Sequence, residues 1–362
     1  MQKNIVPCYY GDYLQLNKLL DSQHPASTQY GPEAHDELLF IIVHQAYELW
    51  FKQILHELRD VQQIMAQDRV QESELGIVIA RLERIHQIQD VLVRQIQILE
   101  TMTPLDFLDF RDYLIPASGF QSIQFKEIEI RLGLRAKDRV NFDQQSFYSR
   151  LSESDRNYLI GLEAEPSLHD HIDAWLARIP FITFADFDFW KAYREAVDKM
   201  LQHDADIVTT NPTLSQTERD FQMRELQSTR ETFDCLLDQS RYDELHGKGR
   251  FRFSQRALLA SVFINLYRDE PILHLPFRLL MALVQLDESF TTWRYRHVMM
   301  VQRMIGSKIG TGGSSGGDYL KSTTENNRFF RDLFNLSTFL LPRSALPVLP
   351  DSLRAALDFK TR

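Results

Sequence analysis

Residues 35–67 carry Phe40, Val43, Tyr47, Phe51, Ile54, Leu58, Val61 and Met65 in steps of three or four, with no glycine or proline between them. An α-helix turns once in 3.6 residues, so these side chains share one face. A helix of this length must bury that face against partners of similar length. Residues 72–101 supply one candidate, with Leu75, Val78, Leu82, Ile85, Ile88, Leu92 and Ile96 at the same spacing. Alternation with period two is scarce elsewhere, so the expected fold class is all-α, a multi-helix single domain.

Further helices are expected at 120–133, 167–178, 184–203, 213–239, 252–266, 286–305 and 323–339, with a short one at 13–22. Pro104 and the stretch 116–119 read as breaks, and 134–165 as irregular. The division expected is an N-terminal arm at 1–34, a helical body at 35–343 with a helical excursion at about 134–250, and a C-terminal tail at 344–362. The charged segment 213–239 reads either as a solvent-facing arm or as a plain surface insertion.

The formal net charge of -9 argues against a nucleic-acid partner, which would need clustered Lys and Arg. Cys8 and Cys235 form neither CxxC nor CxxCH, so a zinc ribbon and a covalently attached haem lack support. The N-terminus has no apolar signal core and no stretch is long enough to span a bilayer. A cytoplasmic protein without a membrane partner is the expectation.

Chemistry concentrates in four places. His44 lies in FIIVHQAYELWF, with Phe40, Ile41, Tyr47 and Glu48 as its helical neighbours. It is either a core histidine satisfied by one hydrogen bond or a polar handle in an apolar pocket for an aromatic ligand. His297 lies in TWRYRHVMMVQRM and shares a helical face with Trp293, Val301 and Met304. It is either a buried structural histidine or a haem ligand, since a neutral imidazole binds iron and apolar surface covers a porphyrin. Arg294 and Arg296 beside it can pair with haem propionates or with acids. The run GSKIGTGGSSGG from Gly306 holds six of the 14 glycines and matches neither a Walker A loop nor a dinucleotide-binding turn. It is either a linker or a loop that brings amides and the hydroxyls of Thr311, Ser314 and Ser315 to a ligand. Arg111, among Asp106, Asp109 and Asp112, makes either a surface ion pair or a two-pronged clamp on a substrate carboxylate.

The segments HDELLFIIVHQAYELWFKQILHEL, DFRDYLIPASGFQSIQF, WRYRHVMMVQRMIGSKIGTGGSSG and RDLFNLSTFLLPR resemble, in the same order, the signature segments of the tryptophan 2,3-dioxygenase family, and YYGDYL resembles that family's arm. The resemblance spans about residues 8–130 and 250–343. It implies an all-helical subunit enclosing one b-type haem, assembled as a homotetramer (a dimer of dimers). The implied reaction inserts both atoms of O2 across the indole C2–C3 bond of L-tryptophan, giving N-formylkynurenine, the first step of tryptophan degradation.

By position, His297 matches the proximal iron ligand and His44 the distal histidine that accepts a hydrogen bond from the indole N–H. Trp293 and Val301 stand with His297 on the haem side. Arg111 matches the residue that binds the substrate carboxylate, and Thr311 the residue that contacts the amino-acid end of the substrate. Phe40 and Phe107 match walls of the indole pocket. Ser118 and Gly119 match the segment over the haem. Tyr10, Tyr13 and Leu14 match arm residues that enter a neighbouring subunit's site. Two positions depart from the family pattern: Gly317 stands where a larger residue, often Tyr, is usual, and Val43 where Thr is common. Both leave open a haem oxygenase acting on a different indole carboxylate.

Overall fold

The structure is a computed structural model that describes residues 6–136, 139, 147–148, 151–180, 183–184, 187–306, 308, 321, 324 and 327–358. Its spine is three long helices: α3 (His35–Met65), α4 (Glu72–Leu99) and α13 (His274–Ile305). Before them come α1 (Tyr10–Leu14) and α2 (Leu16–Leu19); between them lie α5 (Pro104–Arg111), α6 (Ile123–Leu132), α7 (Glu153–Glu163), α8 (Leu168–Ala177), α9 (Phe189–Thr210), α10 (Gln216–Leu237), α11 (Gln239–Gly247) and α12 (Gln255–Leu266). Two short helices, α14 (Arg331–Phe334) and α15 (Asp351–Leu357), follow α13. The strands among the described residues are a two-stranded antiparallel pair, β1 (Thr183–Phe184) and β2 (Phe187–Asp188). The fold is all-α, as the periodicity predicts.

The spine forms because α4 lies along both α3 and α13. Leu58 and Val61 of α3, Val78, Leu82 and Ile85 of α4, and Leu279, Leu283 and Leu286 of α13 are all buried in one core. Side-chain hydrogen bonds fix the rotation of each helix. Tyr47 Oη donates to the Leu92 carbonyl at 2.7 Å, Gln95 Nε2 to the Val43 carbonyl at 2.8 Å, and Gln89 Nε2 to the Leu286 carbonyl at 3.1 Å. Each buried amide or hydroxyl is costly unless paired, so these contacts hold one helical register over its neighbours.

Several boundaries differ from the sequence reading, each for a local reason. Pro104 starts a helix instead of breaking one. Thr103 Oγ1 accepts from the Asp106 amide at 3.3 Å while Asp106 Oδ2 accepts from the Thr103 amide at 2.9 Å, and a proline in the first turn forfeits no intrahelical bond. For the same reason Pro276 sits within the first turn of α13, which begins 12 residues before the expected 286. The irregular-looking 134–165 contains α7, capped by Ser152 Oγ accepting from the Asp155 amide at 3.1 Å. Asp188 Oδ1 accepts from the Trp190 and Lys191 amides and so starts α9 later than expected. In 323–339 the described structure is α14 followed by a 3-10 turn (Asn335–Phe339). Leu353 and Leu357, in the expected tail, are buried in the same core.

One helix end depends on glycine. Gly133 closes α6 at φ 108°, a conformation that L side chains rarely adopt, and a Cβ there would come within 2.7 Å of His169 Cβ and 2.9 Å of Ser167 Oγ. Gly133→Ala is therefore expected to cost about 3 kcal/mol, from the left-handed backbone plus the overlap. A urea midpoint within error of the parent would contradict this.

His169, against that glycine, lies flat between Phe253 (4.4 Å) and Phe330 (5.9 Å), with no hydrogen-bond partner for its Nε2. Burial drives its pKa well below 6.5, and the nearby Arg252 charge adds to the effect. The unfolded chain therefore binds a proton that the folded chain refuses, and stability falls as pH drops through about 6.5. Measured between pH 7.5 and 5.5, the wild type is expected to lose about 1.4 kcal/mol more than His169→Phe, whose ring keeps the stack. Parallel stability curves for the two proteins would exclude His169 as the source.

Candidate functional site

Four helices converge on the predicted chemistry. The α3 helix carries Phe40 and His44, one turn apart; α5 carries Phe107 and Arg111; α13 carries Trp293, His297 and Val301. The α5 helix packs on both α3 and α13, and α6 packs on α3. Gln124 Nε2 of α6 donates to Glu48 Oε2 of α3 at 2.8 Å, and Arg294 Nη2 of α13 donates to Glu129 Oε1 of α6 at 2.8 Å. These bonds close the frame around the two histidines.

His44 is accessible to solvent, yet the surrounding protein desolvates it enough to lower its pKa. Half-exposed His297 shows the same combination more strongly, its pKa falling to about 4 through desolvation, with His44 adding a smaller effect. The charge of His44 adds to the effect on His297, so the two imidazoles lie within electrostatic reach of each other. At neutral pH both imidazoles are uncharged, the form that binds iron or accepts a hydrogen bond.

The His44 tautomer follows from its partner. Nδ1 lies 2.7 Å from the Phe40 carbonyl oxygen, which can only accept. The proton therefore sits on Nδ1, and Nε2 is left as an acceptor. The Phe40 ring lies 4.1 Å from the His44 ring and 5.8 Å from Phe107. Phe110, which the sequence reading missed, is fully buried and completes this cluster at 5.6 Å from Phe40 and 5.4 Å from Phe107. Its spacing of three from Phe107 on one helix was the available signal.

On the other wall, the Trp293 ring stacks on His297 with centroids 5.3 Å apart and planes within 2°. Phe125 (5.1 Å) and Tyr47 (6.1 Å) hold Trp293 in turn. Val301, one turn beyond His297, is half-buried against the core. A flat aromatic cofactor ligated through His297 fits this setting of a neutral imidazole, a fixed ring plane and apolar walls.

The flanking arginines resolve into protein contacts. Arg294 is buried against Glu129 and also donates to the Asn327 carbonyl, and Arg296 pairs with Glu100 at 3.1 Å. Arg111 ends α5 with its side chain 15% exposed and reaches the exposed Asp112 at 3.5 Å. Ser118 caps a 3-10 turn (Gly119–Gln121), its hydroxyl accepting from the Phe120 amide at 3.3 Å. A Cβ built on Gly119 meets nothing within 4 Å, so open space adjoins that turn. Val43 is buried in the core. Tyr10, Tyr13 and Leu14 stand on α1 at 74%, 76% and 40% exposure and take no part in the hydrophobic core. Thr311 and Gly317 lie outside the described residues.

The family model described as Tryptophan 2,3-dioxygenase matches residues 3–340. The chain belongs to the tryptophan 2,3-dioxygenase family. Curated relatives of that name agree over nearly the whole length. The protein from Alteromonas mediterranea is 56% identical over 99% of both chains, and that from Bdellovibrio bacteriovorus 52% identical over 98% of both. The Dictyostelium discoideum protein is 47% identical over 97% of this chain and 88% of its own. Membership of the tryptophan 2,3-dioxygenase family thus covers both histidine-bearing helices, the arm and the excursion. Among the described residues no helix is long and apolar enough to cross a membrane.

Proposed function

We propose that this chain is a haem-dependent dioxygenase that converts L-tryptophan to N-formylkynurenine. The observation that carries the reading is a neutral His44 whose Nδ1 donates to the Phe40 carbonyl and leaves Nε2 to accept, beside the Phe40 and Phe107 rings, together with a neutral His297 stacked on Trp293. In this reading His297 holds the iron of one haem b per subunit. That haem, when bound, supplies the O2 chemistry for cleavage of the indole C2–C3 bond.

The chain's own residues do the rest. Nε2 of His44 accepts a hydrogen bond from the indole N–H and sets the angle of the ring. Indole N–H is too weakly acidic to need a base, so His44 orients the substrate and removes no proton. Phe40 and Phe107 wall the indole and keep water from it, and a low-dielectric wall strengthens each polar contact made inside. The Arg111 guanidinium takes the substrate carboxylate through two parallel bonds, and Thr311 takes the amino-acid end. Three fixed points distinguish L- from D-tryptophan. Ser118 and Gly119 would face the haem when it is bound, and the open space beside Gly119 leaves room for it.

The exposed Tyr10, Tyr13 and Leu14 are read as entering a neighbouring subunit's site in a homotetramer, since large apolar side chains on an arm are rarely left to water. The division into arm, catalytic body with excursion, and tail is retained on this reading, as is a cytoplasmic location. Relatives named for tryptophan, 56% and 52% identical over nearly the whole chain, disfavour a different indole carboxylate. The test is to reduce the haem-loaded protein without oxygen, add L-tryptophan and O2, and follow the N-formylkynurenine band. Product supports the reading. A normal haem spectrum with no product overturns the substrate assignment and keeps the fold.

A further inference from the structure

Glu37 lies in the first turn of α3, one turn before Phe40, and is only 1% exposed. Both of its oxygens are used. Oε1 accepts from the Ala26 amide at 2.7 Å and Oε2 from the Ser27 amide at 3.0 Å. Ser27 Oγ in turn accepts from the Ala34 amide at 3.0 Å. A buried carboxylate thus fixes the 3-10 turn (Ala26–Gln29) at the root of the arm. A second tie lies further along the helix, where Gln45 Nε2 donates to the Ser22 carbonyl at 2.9 Å.

The turn held by Glu37 touches more than α3. It packs on the 3-10 turn Asp112–Leu114, and Tyr30 stacks on Tyr113 with centroids 4.7 Å apart and planes within 7°. Tyr113 comes two residues after Arg111, at the point where α5 ends. The root of the arm is therefore joined both to the helix that bears His44 and to the turn that follows Arg111.

We propose that Glu37 is a positioning residue for the carboxylate end of the substrate site, acting through the Tyr30 and Tyr113 stack on the turn that presents Arg111. The inference rests on the reading of Arg111 as the carboxylate clamp. The chemistry requires a carboxylate at 37, because two converging N–H groups need two acceptor oxygens. Glu37→Gln turns one acceptor into a donor aimed at an N–H, which loosens the turn and tilts Tyr30 off Tyr113. A guanidinium that binds a carboxylate through two parallel bonds tolerates little misplacement, so the loss falls on the amino-acid end of the ligand and spares the indole end.

The experiment uses the full-length, haem-loaded protein and compares L-tryptophan with tryptamine, which lacks the carboxylate. In Glu37→Gln the KM for L-tryptophan is expected to rise about ten-fold with kcat within about two-fold, while the dissociation constant for tryptamine and the haem band stay unchanged. Tyr113→Phe keeps the stack and is expected to match wild type, and Tyr113→Ala to reproduce Glu37→Gln. In an Arg111→Ala background Glu37→Gln should add nothing, because the two act as one unit. Equal weakening of both ligands, or a full Glu37→Gln effect without Arg111, overturns the proposal and leaves the function intact. An Arg111→Ala variant with undiminished affinity for L-tryptophan overturns the clamp reading itself, and the proposal with it.

Discussion

His297→Ala is expected to bind little haem and to lose turnover by more than about 100-fold, since even a residue that merely orients a metal ligand costs 10–100-fold when removed. The imidazole has a specific setting. It projects from the C-terminal third of the long α13 helix, lies flat against Trp293, and is held neutral by desolvation. Alanine removes the nitrogen without disturbing the backbone, because a helix favours alanine. The folded protein should therefore persist with its helical circular dichroism intact while the haem band and its stoichiometry collapse. Added free imidazole should restore part of the band by filling the space the side chain vacated. Full haem occupancy with undiminished turnover would move the ligand elsewhere, and His44 would be the next histidine to test.

Arg111→Ala is expected to lower kcat/KM for L-tryptophan by roughly 30- to 150-fold, corresponding to about 2–3 kcal/mol for hydrogen bonds to a charged group. The loss should fall mainly on KM, because a carboxylate clamp holds ground state and transition state alike. The side chain is mostly shielded at the end of α5, on the same helix as Phe107, and its ion pair with Asp112 is long and exposed on the acid's side. An exposed pair of this length contributes little, and the tryptamine affinity and helical circular dichroism of the variant separate a lost substrate contact from a damaged fold. Lysine should not rescue, since a single ammonium cannot present two parallel donors to a planar carboxylate. Tryptamine should be nearly indifferent to the change. A shift of less than about three-fold for L-tryptophan would sink the clamp and return Arg111 to a surface ion pair.

Much of this was written in the sequence. The period of three to four from Phe40 to Met65 and from Leu75 to Ile96 sets two long helices, since only an α-helix aligns such side chains on one face. Capping residues were also readable, as with Thr103 before Pro104 and Ser152 before α7, once proline is allowed in a first turn. Family membership was legible because long segments agree in order. Spacing on a single helix also placed Phe40 beside His44 and Trp293 beside His297.

Contacts between helices were not readable, because periodicity says which face is buried and not what it meets. Only the packed structure brings Phe107 and Phe110 of α5 onto Phe40 of α3 and puts His44 within electrostatic reach of His297. It also decides that Arg294 belongs to Glu129 and Arg296 to Glu100, a choice left open by charge alone. In the sequence Glu37 is simply one of two acids, with Asp36, in a first helical turn. Its burial and its two amide partners depend on the chain folding back from the arm across 10 and 11 residues, a loop closure with no local signature. The sequence by itself determined the all-α class, the first two long helices with their buried faces, and the family. The tertiary structure alone decided which polar groups become partners, since hydrogen bonds and desolvation depend on distances that only packing sets.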